Sequence, residues 1–243
     1  MSRPPFTPVI EALPHLVPFV GPEAIARQRG REFAARLGAN ESGFGPSPRV
    51  IEAMRKAASE SWAYGDPDNH DIKAALAAHL SVGFDQVAVG GGIDGLFGLT
   101  VRLFAGPGDV VVSSLGGYPT FHYHVAGFGA QLKTTPYVRD REDLDGLLDL
   151  ARQSRAKIVY LANPDNPMGT WHSGPDVAAF GRALPPSTLL VLDEAYCETA
   201  PVGTLPDLPA DMPNALRFRT FSKAYGLAGA RLGYVFGDAR LIT

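Results

Sequence analysis

The sequence predicts an α/β fold with a mostly parallel central sheet and helices on both of its faces. From residue 86 onward, short β-branched apolar runs alternate with segments of helix length, as in strands joined by crossover helices. The runs are apolar throughout, so each strand is expected to be covered on both faces. With 243 residues, of which 45% are hydrophobic and 19% charged, the chain has the composition of a globular protein and the size of one large α/β domain, or of one domain and a fragment of another.

The predicted strands and helices alternate regularly through this part of the chain. Strands are expected at residues 87–89, 110–112, 158–161, 189–192, 216–221 and 234–236. Helices are expected at residues 95–104, 120–128, 141–155 and 175–184. Residues 201–213 lie between two strands and contain four prolines, which predicts a surface excursion.

The first 80 residues are organised differently. Residues 1–20 are rich in proline and aperiodic, which predicts an arm lying on a surface. A helix is expected over residues 23–37, although Gly30 interrupts it. Ser47 can cap a helix that has Pro48 at its first position and extends to about residue 59. A further helix is expected over residues 71–80.

Composition and spacing exclude several classes of function. A net charge of -3 provides no basic surface for nucleic acid, and no apolar run approaches the roughly 20 residues that span a bilayer. The N-terminus lacks the basic and apolar regions of a signal peptide, so a cytoplasmic location is expected. Cys197 is the single cysteine and is expected to be a small buried side chain. His122 and His124 would point to different faces of a helix, so no metal site is expected.

A glycine-rich turn, Gly90-Gly91-Gly92-Ile93-Asp94-Gly95, follows the first predicted strand. Backbone N–H groups in such a turn at the start of a helix form an anion site. The spacing also fits the G-x-G-x-x-G pattern of nicotinamide-dependent oxidoreductases, which requires an acidic residue at the end of the next strand. Ser113 and Ser114 stand there instead. A phosphate cup is therefore favoured, and a dinucleotide site is the alternative.

Polar residues also follow the later strands. Asn166 lies in a turn made rigid by two prolines, where it can donate to a phenolate oxygen or serve the turn alone. Asp193 ends the fourth predicted strand, and a buried acid there needs a pyridinium N–H, a magnesium ion or a salt bridge as partner. Tyr196 could reach the phenolate oxygen of the same ring. Phe121 could stack on that ring, although core packing explains it better when it is taken alone.

Lys223 follows the strand predicted at residues 216–221 and is preceded by hydroxyl groups at Thr220 and Ser222. A desolvated lysine can lose its proton and act as a nucleophile toward an aldehyde. The two hydroxyl groups, together with Arg231, suit the phosphate of a cofactor that the lysine would capture.

Taken in order, these motifs resemble the fold type I, class I and II aminotransferases that depend on pyridoxal phosphate. Within them, the sequence is most similar to the histidinol-phosphate aminotransferase subgroup, over nearly the whole chain. Residues 40–41 and 45–48 are similar to that subgroup's N-E-N-P-x-G-P-S-P segment, and residues 64–67 to its Y-P-D-P. Residues 163–169 are similar to N-P-N-N-P-T-G, residues 193–196 match D-E-A-Y, and residues 220–231 match the lysine and arginine signature.

The resemblance implies a function for each motif. Lys223 would form the covalent link to the cofactor and move the α-proton as general base. Asp193 would pair with the pyridine nitrogen, Asn166 and Tyr196 would bind the phenolate oxygen, and Phe121 would lie over the ring. The phosphate would be held by Gly92, Ile93, Asp94, Thr220, Ser222 and Arg231 and, from the other subunit of a homodimer, by Tyr64.

Four positions depart from the family pattern. Ile93 stands where a small or hydroxyl residue is usual, Gly95 replaces a glutamate, Phe121 replaces a tyrosine and Met168 replaces a threonine. These departures leave the ring chemistry in place but indicate a paralogue of the histidine-pathway enzyme.

The resemblance also implies a division of the chain and an activity. Residues 1–45 would form an N-terminal arm and part of a small domain, and residues 46–243 the cofactor-binding large domain. Family members continue past the last predicted strand, so the chain is expected to be truncated and to lack the arginine that grips the substrate carboxylate. The implied reaction moves an amino group between an amino acid or amino alcohol phosphate and a 2-oxo acid. A threonine-phosphate type of decarboxylase and a non-catalytic cofactor-binding fragment are the alternatives.

Overall fold

A seven-stranded sheet forms the centre of the molecule, seen in a computed structural model that describes residues 4–14 and 18–242. Its strands are β1 (Val87–Gly90), β2 (Val110–Ser114), β3 (Gln131–Thr135), β4 (Ile158–Ala162), β5 (Leu189–Asp193), β6 (Ala215–Thr220) and β7 (Gly233–Gly237). In space their order is β1-β7-β6-β5-β4-β2-β3.

The sheet is mostly parallel. Strands β3, β2, β4, β5 and β6 each run parallel to their neighbours. Only β7 is reversed among the described strands, since it pairs antiparallel with both β1 and β6. The carboxyl ends of the parallel strands therefore lie at one edge of the sheet, where ligands bind in open α/β sheets.

Helices cover both faces of this sheet. Those of the described residues are α1 (Pro8–Glu11), α2 (Pro22–Arg29), α3 (Pro48–Ala57), α4 (His70–Leu80), α5 (Ile93–Phe104), α6 (Pro119–Gly127), α7 (Leu144–Ser154), α8 (Gly174–Ala183) and α9 (Ala239–Ile242). Side chains of α5 and α6 pack on one face of the strands, and side chains of α7 and α8 pack on the other. The predicted α/β architecture is confirmed.

Six of the strands coincide with the predicted runs, and β3 was not predicted. Its side chains alternate between exposed and half-buried positions at the edge of the sheet, so it lacks the continuous apolar character of the inner strands. The helix predicted over residues 23–37 ends at Arg29. Gly30 adopts a left-handed conformation with φ of 66° and terminates it, so the prediction was wrong beyond that residue.

Two predicted loop regions differ in part from expectation. The proline-rich arm contains the short helix α1 within its described residues, while the part of this prediction at residues 1–3 and 15–17 lies outside the described residues. Residues 201–213, all described, contain no helix or strand, as predicted. This excursion nevertheless buries Thr204 and Leu208. Cys197 is a buried free thiol, as predicted.

Within the described ranges, no helix combines the length and the apolar character that crossing a bilayer requires.

Candidate active site

Several of the residues predicted at the ends of strands lie close together at the carboxyl ends of the parallel strands. Asp193 is the last residue of β5, Thr220 is the last of β6, and Asn166 lies in the loop after β4. Gly233, at the start of β7, pairs with both Gly90 and Thr220. This pairing brings the glycine-rich turn after β1 beside the end of β6.

Asp193 is a buried carboxyl group that accepts two hydrogen bonds. Its Oδ1 accepts from the Ala195 N–H at 2.9 Å, and its Oδ2 accepts from the Tyr160 hydroxyl at 2.6 Å. Burial raises the pKa of Asp193 to about 6, although the Tyr160 hydroxyl and the Ala195 N–H oppose the rise. The arginines of β6 do not neutralise it, because Arg217 and Arg219 pair with Glu194 at 2.7 and 2.8 Å.

The side chains of Asn166 and Tyr196 contact each other, and the common partner expected for them stays a prediction. The Asn166 side-chain amide donates to the Tyr196 hydroxyl at 3.4 Å. The same hydroxyl accepts a hydrogen bond of 2.9 Å from the Asn40 amide. Burial raises the pKa of Tyr196, so it is a neutral donor at physiological pH.

Lys223 lies beside these groups. Its Nζ is 5.6 Å from the centre of the Tyr196 ring and donates to the carbonyl oxygen of Ala39 at 2.7 Å. Burial lowers the pKa of the lysine, while the negative charges of Asp193 and Glu41 oppose that change. A lysine whose charged form is disfavoured by desolvation supplies the neutral amine that nucleophilic attack requires.

The loop that precedes α3 reaches across the site, a contact that sequence reasoning did not foresee. Ala39 and Asn40 both have left-handed backbone conformations, with φ of 64° and 51°, and they contact Lys223 and Tyr196 respectively. Arg36 pairs with Glu41 and with Glu23 of α2, which fastens the loop. The similarity of residues 40–41 to a family segment was the available signal, but it carried no information about contacts.

Gly92 and Arg231 form a close pair at the glycine-rich turn. Gly92 has φ of 86°, and a Cβ atom added to it would lie 2.5 Å from Arg231 Nη2. Arg231 is itself left-handed with φ of 52°. Glycine is therefore favoured at position 92 by the backbone conformation, and a side chain there would require the guanidinium group to move. The arrangement places a cation against the backbone N–H groups at the start of α5.

Thr220 and Ser222 are both buried, at 3% and 8% exposure. The Ser222 N–H donates to Thr220 Oγ1 at 3.1 Å, which fixes the turn that leads from β6 to Lys223. Two hydroxyl groups, one guanidinium group and a helix start thus lie on neighbouring segments, and each is a group of the kind that binds anions.

Asp94, in the first turn of α5, directs its carboxylate to His124 of α6 at 3.2 Å. A carboxylate beside a bound phosphate would repel it. The contact with His124 therefore supplies a partner for the Asp94 charge, and the predicted contribution of Asp94 to the phosphate site would come through its backbone.

The structure separates two aromatic residues that are close in sequence. Phe121 is fully buried, its ring stacked on Tyr160 with 4.3 Å between ring centres, and its place over a cofactor ring stays a prediction. Tyr118 is partly exposed, and its phenol interacts electrostatically with Asp94, Asp193 and Arg231. Sequence reasoning missed Tyr118, although it stands in the same Gly-Tyr-Pro-Thr-Phe motif.

Tyr64 is the predicted site residue that lies apart from the others. Its side chain is fully exposed on the loop between α3 and α4. Trp62 on the same loop is 84% exposed. The contacts that join Lys223, Tyr196 and Asp193 do not include this loop.

Two further acids lie buried near Asp193. Glu142 accepts from Ser114 Oγ at 2.5 Å and from the Ala162 N–H at 2.8 Å. Asp165 accepts from the Tyr137 hydroxyl at 3.1 Å. Burial raises the pKa of both carboxyl groups, which favours their protonated forms relative to exposed acids. No sequence signal pointed to Glu142.

A family model described as aminotransferase class I and II matches residues 35–243. The chain belongs to this aminotransferase family. Curated relatives include a histidinol-phosphate aminotransferase of an Anaeromyxobacter species, 38% identical over 231 residues, and histidinol-phosphate aminotransferase 1 of Bacillus cereus, 34% identical over 232 residues. Each alignment covers 93% of this chain and 63% or 62% of the relative.

Solved structures give the same family as the sequence relatives do. The histidinol-phosphate aminotransferase of Sinorhizobium meliloti, in complex with pyridoxal-5'-phosphate, is 58% identical with a TM-score of 0.95 and covers 99% of this chain. The alignment spans 65% of that protein. Aspartate aminotransferase of Thermus thermophilus has a TM-score of 0.83 at 23% identity, which concerns the fold alone. The fold is that of the pyridoxal-phosphate transferases of fold type I.

This aminotransferase chain spans somewhat less than two thirds of the length of the curated relatives it matches. The family assignment decides against the nicotinamide-dependent alternative for the glycine-rich turn. A threonine-phosphate decarboxylase shares the fold at 18% identity, with a TM-score of 0.68, and this likeness does not extend to its reaction.

Proposed function

We propose that the chain carries the cofactor site of a pyridoxal-phosphate-dependent aminotransferase. The enzyme moves an amino group between an amino acid or amino alcohol phosphate, of the histidinol-phosphate kind, and a 2-oxo acid. The proposal rests on one observation. The desolvated Lys223, the buried Asp193 and the close pair of Gly92 and Arg231 lie together at the carboxyl ends of the parallel strands.

The residues present fit this cofactor. A Cβ atom at position 92 would lie 2.5 Å from Arg231 Nη2, so the guanidinium group lies directly beside the start of α5, and the two together suit an anion. The phosphate would be held there by Gly92, Ile93, Asp94, Thr220, Ser222 and Arg231. When bound, the cofactor supplies an aldehyde for covalent capture and a pyridinium ring that withdraws electrons from the reacting carbon.

Lys223 serves as the nucleophile toward the aldehyde and afterward as the base. Burial lowers its pKa, which increases the fraction of Nζ that is unprotonated and able to attack. Once substrate has displaced it, Nζ can hold and move the α-proton. In the described structure the amine donates a hydrogen bond to the Ala39 carbonyl oxygen.

Asp193, Asn166 and Tyr196 orient the ring and set its charge. Asp193 as a carboxylate keeps the ring nitrogen protonated by accepting its N–H, since a charge-assisted hydrogen bond of this kind is stronger than a neutral one. The Asn166 amide and the Tyr196 hydroxyl donate to the phenolate oxygen. Their mutual distance of 3.4 Å supports a shared partner.

The substrate class and assembly are proposed on the relatives together with the site. The relatives named above are histidinol-phosphate aminotransferases, which favours a phosphorylated amino donor used in amino-acid biosynthesis. We propose a homodimer in which Tyr64 of one subunit reaches the cofactor phosphate of the other, and the full exposure of Tyr64 supports this. The division at residue 45 and the cytoplasmic location stay predictions.

The first experiment is an absorbance titration of the protein with pyridoxal phosphate. A visible band that borohydride converts into a covalent adduct is expected, and Lys223→Ala should lack both. Lys157→Ala, which removes an exposed lysine before β4, is the matched control and should behave as the unmodified protein. An adduct on a lysine other than Lys223, or an unchanged band in Lys223→Ala, would contradict the proposal. Transfer of the amino group from histidinol phosphate to 2-oxoglutarate then tests the substrate class.

A further inference from the structure

Tyr160 lies beside Asp193 and has a role that no sequence motif suggested. It occupies the middle of β4, is 0% exposed, and donates its hydroxyl to Asp193 Oδ2 at 2.6 Å. The contact joins two neighbouring parallel strands, since β4 pairs with β5. Ala162 of β4 pairs with Asp193, which sets Tyr160 two residues back along β4.

The ring of Tyr160 is held by two phenylalanines. Phe121 of α6 stacks on it at 4.3 Å with an angle of 23° between the planes. Phe97 of α5 meets it edge-on at 5.7 Å and also contacts Phe121. Because all three rings are fully buried, the direction of the Tyr160 hydroxyl is fixed by packing. Phe121 thus helps to hold the Tyr160 ring in the position from which its hydroxyl reaches Asp193.

The two oxygens of Asp193 are each engaged by one protein donor, Tyr160 on Oδ2 and the Ala195 N–H on Oδ1. A carboxylate oxygen has two lone pairs, so each can still accept a hydrogen bond from a ligand.

Besides Tyr160, the titratable groups that interact electrostatically with Asp193 are Tyr118, Glu142, Asp165, Glu194, Tyr196 and Lys223. Burial and the neighbouring acids disfavour the charged form of Asp193, and Tyr160 opposes them.

We propose that Tyr160 is a positioning residue that keeps Asp193 charged and aimed at the ring nitrogen of the cofactor. The inference rests on the proposed function for the identity of the ring, but the hydrogen bond to Asp193 exists without it. Burial raises the pKa of the Tyr160 phenol far above its ordinary value. The hydroxyl is therefore a donor throughout the physiological range, and Asp193 is its acceptor.

Tyr160→Phe tests this proposal, because it removes one oxygen atom and leaves the stacked ring in place. The first readout is the pKa of Asp193 in the cofactor-free protein, followed by the ¹³C shift of its carboxyl carbon and assigned with Asp193→Asn. Loss of a hydrogen bond to a charged group should raise that pKa by about one unit or more. The second readout is the ¹⁵N shift of the ring nitrogen after loading with ¹⁵N-labelled pyridoxal phosphate, which should move toward the unprotonated value.

Tyr234→Phe is the matched control, since Tyr234 is also buried in the sheet but interacts with Arg219. It should leave both readouts unchanged, which separates the role of Tyr160 from a general loss of a buried hydroxyl. If the protein binds the cofactor and Tyr160→Phe shifts neither signal, the inference is wrong and the proposed function stands. If the unmodified protein fails to bind pyridoxal phosphate, the proposed function fails, and with it the part of the inference that concerns the ring nitrogen.

Discussion

Glu142 is 2% exposed, and among the described residues its carboxyl group forms no ion pair with an arginine or a lysine. Its two hydrogen bonds, from Ser114 and from the Ala162 N–H, favour the charged form. Burial outweighs them and raises the pKa of Glu142, and the negative charges of Asp165 and Asp193 add to the rise. Glu142 therefore keeps its proton in the folded protein at pH values where the unfolded chain has lost it.

This difference makes stability depend on pH. An acid with a raised folded pKa binds more protons in the folded state, so the free energy of unfolding falls as pH rises from its ordinary pKa through the raised one. Glu142→Gln cannot lose a proton and should show a smaller fall between about pH 4.5, the ordinary pKa of a glutamate, and about pH 8, its raised pKa. Urea unfolding of the cofactor-free protein at several pH values measures this. Glu60→Gln, at an exposed site, is the control, and equal slopes for all three proteins would refute the prediction.

The residues that touch the proposed cofactor could be read from the sequence more easily than those that support them. Lys223 and Asn166 follow strands, and Asp193 is the last residue of one. A polar side chain at the end of an apolar strand is easily recognised in a sequence. Tyr160 lies inside such a strand and looks like any core aromatic. Its partner depends on how β4 and β5 are aligned, and the chain order alone does not fix that alignment.

At the scale of elements, continuous apolar runs identified the inner strands because both of their faces are covered. The edge strand β3 has exposed and half-buried positions, so its pattern is weaker than that of its neighbours. The helix after residue 22 was extended too far because helix-compatible residues continue past Gly30. A left-handed glycine ends a helix whatever follows it.

The turn after Lys223 packs against the loop before α3, and one glycine makes this approach possible. Gly226 has φ of 67°, and a Cβ atom added there would lie 2.3 Å from the Gly45 carbonyl oxygen. A left-handed conformation costs a non-glycine residue about 1–2 kcal/mol, and the clash with backbone atoms cannot be relieved by a side-chain rotation. The lysine turn and the loop that covers the site are thus held together at this contact.

Gly226→Ala is therefore expected to lower the free energy of unfolding by about 2 kcal/mol or more and to weaken pyridoxal phosphate binding, because the two loops must separate. Gly229→Ala lies in the same turn, has no described atom within 4 Å of the added Cβ, and should change stability by less than about 0.5 kcal/mol. Urea unfolding and cofactor titration of both variants measure the effects. If both variants have the same free energy of unfolding and the same affinity for pyridoxal phosphate, the contact with Gly45 contributes to neither.

For the molecule as a whole, the region before α4 is unusually exposed. Every residue of α3 lies in the described part of the chain and none is buried. Phe44, Trp62 and Tyr64 on the flanking loops are 102%, 84% and 103% exposed. An amphipathic helix and several aromatic side chains without a covering layer are typical of an interaction surface. The proposed homodimer supplies that layer and brings Tyr64 to the partner's phosphate site.

Subunit mixing tests whether Tyr64 acts across such an interface. Lys223→Ala removes the covalent link, and Tyr64→Ala should weaken cofactor binding. If Tyr64 acts on the partner's site, a mixed dimer of these variants has both lesions in one site and an intact second site. Unfolding and refolding the variants together should then restore tight, borohydride-fixable cofactor binding that neither shows alone. If Tyr64 acts within its own chain, every mixed site carries one lesion and nothing is restored. Mixing Lys223→Ala with Lys223→Ala,Tyr64→Ala is the control, because no site then contains Lys223.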